Sequence, residues 1–307
     1  MNPTAESIMP LAIREAEQSL REGNNGFGAV IAKDGEIVAV AHDTEETEQD
    51  PIAHAELNAI RQACARLGKD LSGCLLVATH EPCPMCAAAI VWARIGRVAV
   101  GYSIAEAIGQ GRRRIDLPCE TIFSAAGADV AVERGVARAS CAVLYDRSVR
   151  NEVRRLRGAG PEDMAALNDA LARRRLEWFA AQGVVQGSGQ GSVQDSGPAP
   201  ARWLADSPLE SAYRMLLDKF GVSAAEMPVV ERSATRIVFH SMNFCPTLEA
   251  CRILRLDTRR VCAACNEEAT DRLVKRIDPR LRFARNYGKL RPHAPYCEES
   301  ISLDALA

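Results

Sequence analysis

Apolar positions along this chain switch repeatedly between a helical spacing and short unbroken runs. From Glu6 to Glu22, Ile8, Leu11, Ala12, Ala16 and Leu20 fall on one side, which predicts an amphipathic helix. The apolar stretches Phe27 to Lys33 and Ile37 to Ala41 flank Asp34-Gly35, a turn pair that predicts a β-hairpin. Pro51 ends an extended stretch, and Ala53 to Leu67 then returns to helical spacing through Ala55, Leu57, Ala59, Ile60, Ala63 and Leu67. Leu75 to Thr79 reads as a buried strand, Cys83 to Trp92 as a helix and Val98 to Gly101 as a strand. Asp129 to Val132 is a further short strand, and Ala137 to Arg155 a final helix. Strands alternating with helices predict an α/β domain with a layered core over residues 1–158.

The pattern then changes. Pro161 to Gln182 has Met164, Leu167, Leu171 and Trp178 in helical register. The run from Gln186-Gly187-Ser188 to Pro198-Ala199-Pro200 is polar and rich in Gly, Ser and Pro, which is linker composition. Residues 159–201 therefore read as a helix plus linker, and 202–307 as a second, small α+β domain. In it, Leu209 to Phe220 is a helix capped by Gly221, and Pro228 to Ser233 and Arg236 to Ser241 are strands. Leu248 to Leu254 and Thr258 to Ile277 are helical, and Leu281 to Phe283 is a short strand.

A length of 307 residues accommodates two domains, and a formal net charge of -2 points to neither a nucleic acid nor a membrane as partner. No apolar run is long enough to span a bilayer, and the N-terminus lacks the basic and apolar segments of a signal peptide. Eleven cysteines, several at metal-ligand spacing, suit a reducing cytoplasm.

The chemistry concentrates in His54-Ala55-Glu56 and Pro82-Cys83-Pro84-Met85-Cys86. Replacing an amino group on a ring carbon by water needs a stronger nucleophile than bulk water. A zinc ion with three protein ligands and one open position brings the pKa of its water to roughly 7. His54, Cys83 and Cys86 offer one nitrogen and two thiolates, and Glu56 is placed to shuttle protons to the ring and the leaving amine. Both ligand pairs fall at predicted helix starts, where the dipole favours thiolate. A structural zinc site would need a fourth ligand. His80 is the one close residue, and with His42 it is expected beside the site or at the surface; Cys64 and Cys74 are expected in the core.

This order of residues is the signature of zinc deaminases acting on bases and nucleosides. From Met1 to Gly158 the chain resembles the cytidine deaminase-like superfamily, and within it the nucleoside and guanine deaminase group. The resemblance rests on Gly26-Phe27-Gly28-Ala29-Val30-Ile31, Asp50 to Glu56 and Thr79 to Ile90. It implies a three-layer α-β-α domain with a mixed central sheet, one catalytic Zn2+, catalysis by Glu56 and a homodimer. It also implies a small amino-heterocycle as substrate, contacted at Phe27, Ala55, Glu81 and the position eleven residues before the zinc histidine. The family usually has asparagine there, and here it is Asp43. A carboxylate only accepts hydrogen bonds. Asp43 therefore either meets a ring N–H, favouring a less usual heterocycle such as a pterin or triazine, or turns away from the substrate. The family's proline before the strand phenylalanine is replaced by Gly26.

Asp43, Glu45, Glu46, Glu48 and Asp50 make the adjoining loop acidic, which repels phosphate and argues against both tRNA and nucleotides as substrates. The run Arg112-Arg113-Arg114 is expected on a solvated face, with a phosphate clamp as the other reading.

In the second domain Cys245, Cys251, Cys262, Cys265 and Cys297 allow three readings: a second metal or Fe–S cluster, a redox or nucleophilic role, or core packing. The stretch weakly resembles aminothiazoline-carboxylate hydrolase-like domains. Basic residues from Arg272 through Arg291 form either a solvated face or a nucleic-acid contact. The expected function is a zinc-dependent hydrolytic deaminase of a free base, nucleoside or related heterocycle. Its rival is a tRNA adenosine deaminase whose second domain binds RNA.

Overall fold

The computed structural model describes residues 4–182 and 203–304, so the Gly/Ser/Pro-rich linker sequence lies outside the described residues. The chain divides into two compact units, Met1–Arg157 and Gly158–Ala307.

The first unit runs α1 (Ala5–Glu22), β1 (Gly28–Lys33), β2 (Glu36–His42), α2 (Glu45–Glu48), α3 (Ala55–Leu67), β3 (Leu75–His80), α4 (Pro84–Trp92) and β4 (Arg97–Tyr102). It continues through α5 (Ile104–Gly109), α6 (Cys119–Ala125), β5 (Ala131–Arg134), α7 (Arg138–Tyr145) and α8 (Arg147–Leu156). The sheet order is β2-β1-β3-β4-β5. β1 is antiparallel to β2 and β3, while β4 is parallel to β3 and β5, so the sheet is mixed. Asp34 and Gly35 both have positive φ, the conformation a tight twisted hairpin needs between β1 and β2.

Alternate strand residues face opposite layers. Ala29, Ile31, Leu76, Ala78, Val98 and Val100 pack with Ala55, Ala59, Ile60 and Ala63 of α3 and with Ala87 and Ile90 of α4. Small residues on α3 let it lie close to the sheet. The same economy operates on α1: a Cβ at Gly28 would sit 2.0 Å from the carbonyl oxygen of Ala12, so only glycine lets β1 approach that helix. Helices cover both faces of the sheet, as the resemblance implied.

Three short helices, α2, α5 and α6, were not legible in the apolar spacing. The single helix expected from Ala137 to Arg155 is two. Asp146 leaves helical geometry and its carboxylate accepts the N–H groups of Ser148 and Val149, capping α8.

The second unit comprises α9 (Pro161–Ala180), α10 (Pro208–Phe220), β6 (Val229–Arg232), β7 (Arg236–Ser241), α11 (Pro246–Leu254), α12 (Thr258–Cys262), α13 (Glu268–Val274), β8 (Leu281–Arg285) and β9 (Cys297–Leu303). Its antiparallel sheet has the order β6-β7-β9-β8. β9, absent from the sequence reading, is an inner strand. Composition attached α9 to the linker, yet α9 packs on α13, and its Phe179 joins the core of Trp203, Tyr213, Phe239 and Ile301. The helix expected from Thr258 to Ile277 is broken by a kink at Cys265, whose φ of -139° and ψ of 21° are not helical. At the kink the Cys265 thiol donates to the carbonyl oxygen of Val261 at 3.1 Å, and Arg175 to that of Asn266 at 3.2 Å.

Candidate active site

β2, β3 and β4 point the same way, so the segments that follow them gather at one edge of the sheet. α3 and α4 both start there. His54 is the residue before α3 and Cys83 the residue before α4, each in extended backbone, and neither side chain caps its own helix. Cys86 lies one turn into α4.

The three donor atoms form a triangle. Cys83 Sγ lies 3.6 Å from His54 Nδ1, Cys83 Sγ 3.6 Å from Cys86 Sγ, and Cys86 Sγ 3.5 Å from His54 Nδ1. Zinc–sulfur and zinc–nitrogen bonds of ordinary length in a tetrahedron require edges of about 3.5–3.8 Å. The triangle thus fits Zn2+ and leaves the fourth corner of the tetrahedron open. Glu56, 6% exposed, lies beside it, with Cys86 Sγ 3.5 Å from its Oε2.

The electrostatics follow from burial and proximity. The hydrogen bond with Cys83 holds His54 up at about 9, against the opposing effect of burial. The Cys86 thiol donating to Cys83, with His54 beside it, lowers Cys83 to about 4, while Cys86 is pushed far up and keeps its proton. Uptake of a dication therefore releases protons from this set. Burial first, and then the Cys83 sulfur, raises Glu56 to about 7, which suits a group that must both take and give a proton.

His54, Glu56 and Cys83 border a cavity of about 290 Å³ whose walls include Asn25, Phe27 and His80. The Phe27 ring meets His80 edge-on at 5.4 Å and stacks on Tyr145 at 5.5 Å. His80 Nδ1 is 2.8 Å from the carbonyl oxygen of Glu81, which can only accept. Burial lowers His80 to about 4, so it is neutral near pH 7, with Nε2 an acceptor that has no partner among the described residues.

Residues 2–102 match the cytidine and deoxycytidylate deaminase zinc-binding region family. The tRNA-specific adenosine deaminase of Aquifex aeolicus is 47% identical over 94 residues, 30% of this chain and 62% of its own length. The guanine deaminase of Bacillus subtilis is 47% identical over 91 residues, 29% of this chain and 58% of its own. A tRNA-specific adenosine deaminase of Streptococcus pyogenes is 39% identical over 144 residues, 47% of this chain and 88% of its own. The chain belongs to the cytidine deaminase-like superfamily.

The other positions expected to contact substrate in this superfamily member are placed differently from one another. Phe27 is in the cavity wall. Ala55 is buried in the core behind α3. Glu81 borders the cavity, but its carboxylate is spent on the N–H groups of Ile104 and Cys119 at 2.9 and 3.0 Å and on Arg134 at 2.9 and 3.1 Å. Asp43 does not face the cavity. It is 0% exposed and accepts from the Ser19 hydroxyl and from the N–H groups of Asn25 and Phe27 at 3.0 and 3.1 Å. Its acceptors are consumed inward, which removes the case for an unusual heterocycle built on it.

Arginine is the residue type that sequence reasoning misplaced. Arg112 and Arg114 line the cavity, with Arg150 of α8, while Arg113 is exposed. Within the run, Arg112 and Arg114 are half-buried at the cavity and Arg113 between them is exposed.

Cys262 is near enough to Cys245, Cys251 and Cys297 to feel their charge, but among the described residues no three of Cys245, Cys251, Cys262, Cys265 and Cys297 bring their sulfurs within 4.8 Å of one another. Cys251 and Cys265 are fully buried, and Cys265 donates to the carbonyl oxygen of Val261 at 3.1 Å. The expected metal or cluster site is not assembled. The basic series there is also largely neutralised within the unit. Arg272 pairs with Glu268 and Asp169, Lys275 with Asp271, Arg280 with Asp278, Arg282 with Asp304, Arg285 with Glu299 and Lys289 with Glu298.

Proposed function

We propose that this protein is a zinc-dependent hydrolytic deaminase of a base- or nucleoside-sized amino-heterocycle, converting a ring C–NH2 and water into C=O and ammonia. The observation that carries the reading is the tetrahedral-edge spacing of His54, Cys83 and Cys86, with the buried Glu56 carboxyl beside it on a small cavity. Zinc held by these three residues supplies Lewis-acid activation of water. The buried Glu56 carboxylate would take one proton from the attacking water and pass it to a ring nitrogen, then take the remaining hydroxyl proton and deliver it to the departing amine. Phe27 and His80 form part of the cavity wall against which the heterocycle would lie.

The reading includes a cytoplasmic location, supported by eleven unpaired cysteines, and a homodimer, supported by the family resemblance. Among the described residues no helix is long and apolar enough to cross a membrane.

Several relatives carry the name tRNA-specific adenosine deaminase, which supports a second reading with an RNA substrate. The paired basic residues of the second unit weigh against its use as an RNA-binding module.

The test is ammonia release by the zinc-loaded protein over purines, pyrimidines, their nucleosides, pterins and triazines. Glu56→Ala should retain zinc and lose at least roughly a hundredfold in rate. Undiminished release by that variant would remove Glu56 from the mechanism.

A further inference from the structure

Three guanidinium groups converge on the candidate active site without an acid to balance them. Among the described residues, none of Arg112, Arg114 and Arg150 has a carboxylate within 4.0 Å. Other arginines of this unit are paired, as Arg134 is with Glu81 and Glu120, and Arg138 with Glu106. Two acids around this cavity, Asp43 behind its wall and Glu45 on its border, are committed elsewhere. Asp43 is saturated by Ser19, Asn25 and Phe27, and Glu45 accepts from the Asn25 side-chain amide at 2.9 Å.

The arginines are held in place by neutral contacts. Arg112 Nη2 donates to the carbonyl oxygen of Tyr145 at 2.9 Å, and Arg150 Nη1 to that of Asn25 at 2.5 Å. Arg114 lies over the Phe27 ring at 5.3 Å and donates to the carbonyl oxygen of Arg113 at 2.9 Å. Each group uses one N–H-bearing nitrogen on the backbone and leaves further donors of its five for a ligand. All three are half-buried, and the repulsion is felt: burial and then the neighbouring Arg112 lower Arg150 to about 10, and burial and then Arg114 lower Arg112. Holding like charges together at a partly dry site costs stability, and a bound anion relieves that cost.

We propose that Arg112, Arg114 and Arg150 form a phosphate subsite in the same cavity as His54, Glu56 and Cys83, so that the amino-heterocycle is presented as a free phosphorylated nucleoside. The proposal rests on the deaminase reading above and names its substrate class. Three planar forks match the three terminal oxygens of a phosphate monoester, and their charge exceeds what a single carboxylate could balance. A free nucleotide is favoured over an RNA strand on two grounds. The cavity, about 290 Å³, is at the small end for ligand pockets. Of the acidic loop read from the sequence as unfavourable to nucleotides, Glu45 borders the cavity and accepts from Asn25, while Glu46 and Glu48 are exposed outside it, so the loop opposes a long polyanion more than a single phosphate.

The experiment compares ammonia release by the zinc-loaded full chain from adenine, guanine and cytosine, from their nucleosides, from their 5′-monophosphates and from an RNA hairpin. For at least one base, the monophosphate is expected to exceed its nucleoside in kcat/KM by about tenfold to a hundredfold. In Arg114→Ala that preference should collapse towards one, and in Arg113→Ala it should persist. A binding readout runs alongside: inorganic phosphate should raise the melting temperature of the wild type and not that of Arg114→Ala. Equal turnover of nucleoside and monophosphate overturns the subsite while leaving the deaminase reading intact. Turnover of the RNA hairpin alone overturns the free-nucleotide assignment. Ammonia from none of these substrates overturns the subsite, and ammonia from none of them or of the pterins and triazines, by protein with full zinc content, overturns both.

Discussion

The carboxylate of Asp43 accepts the backbone N–H of Asn25 at 3.0 Å, across the edge of the sheet. Asn25 in turn lines the cavity beside the zinc triangle. Asp43 thus shapes the wall from behind. Asp43→Asn replaces one acceptor oxygen by an NH2 group, which then faces an N–H. The variant should lose about 1–3 kcal/mol of stability in urea unfolding, with its preference among heterocycles unchanged. A switch of preferred base at wild-type stability would return Asp43 to substrate recognition.

His42 lies between two carboxylates, with Nδ1 2.7 Å from Glu15 and Nε2 3.0 Å from Glu22. Burial alone would lower its pKa, but the hydrogen bonds and charges of Glu15 and Glu22 outweigh burial and raise it above the ordinary value of 6.5. The folded state therefore holds this proton more tightly than the unfolded chain. The stabilisation is complete below about 6.5 and is lost as pH rises through the folded value. The urea midpoint of the wild type should fall relative to that of His42→Gln between pH 6 and 8. Parallel midpoints across that interval would show that the two carboxylates do not act through this histidine.

Arg134 holds the buried end of Glu81, whose side chain is 2% exposed, while also pairing with Glu120. Glu81 binds the N–H groups that open α5 and α6, so the ion pair joins three segments at the cavity. Arg134→Ala leaves a buried carboxylate with two N–H partners and no cation. A loss of about 3 kcal/mol is expected by denaturant titration, with zinc content retained. A loss below 1 kcal/mol would mean that the two N–H bonds suffice.

By itself the sequence determined what is local. The spacings within His54-Ala55-Glu56 and Cys83-Pro84-Met85-Cys86 put the donors at helix starts, because three or four residues make one helical turn. Asp34-Gly35 named its hairpin for a similar reason, since few residues tolerate positive φ. Tertiary structure decided whatever depends on direction across the fold. Asp43 turns inward because Ser19, Asn25 and Phe27 offer it more donors than the cavity does. β9 becomes an inner strand because it pairs with β7 and β8, both distant in sequence from each other. Arg112 and Arg114 were legible as charges, but whether charge meets water, acid or cavity is set by neighbours brought from elsewhere in the chain. Arg150, 36 to 38 residues further on, joins them only because α8 folds back to the same edge.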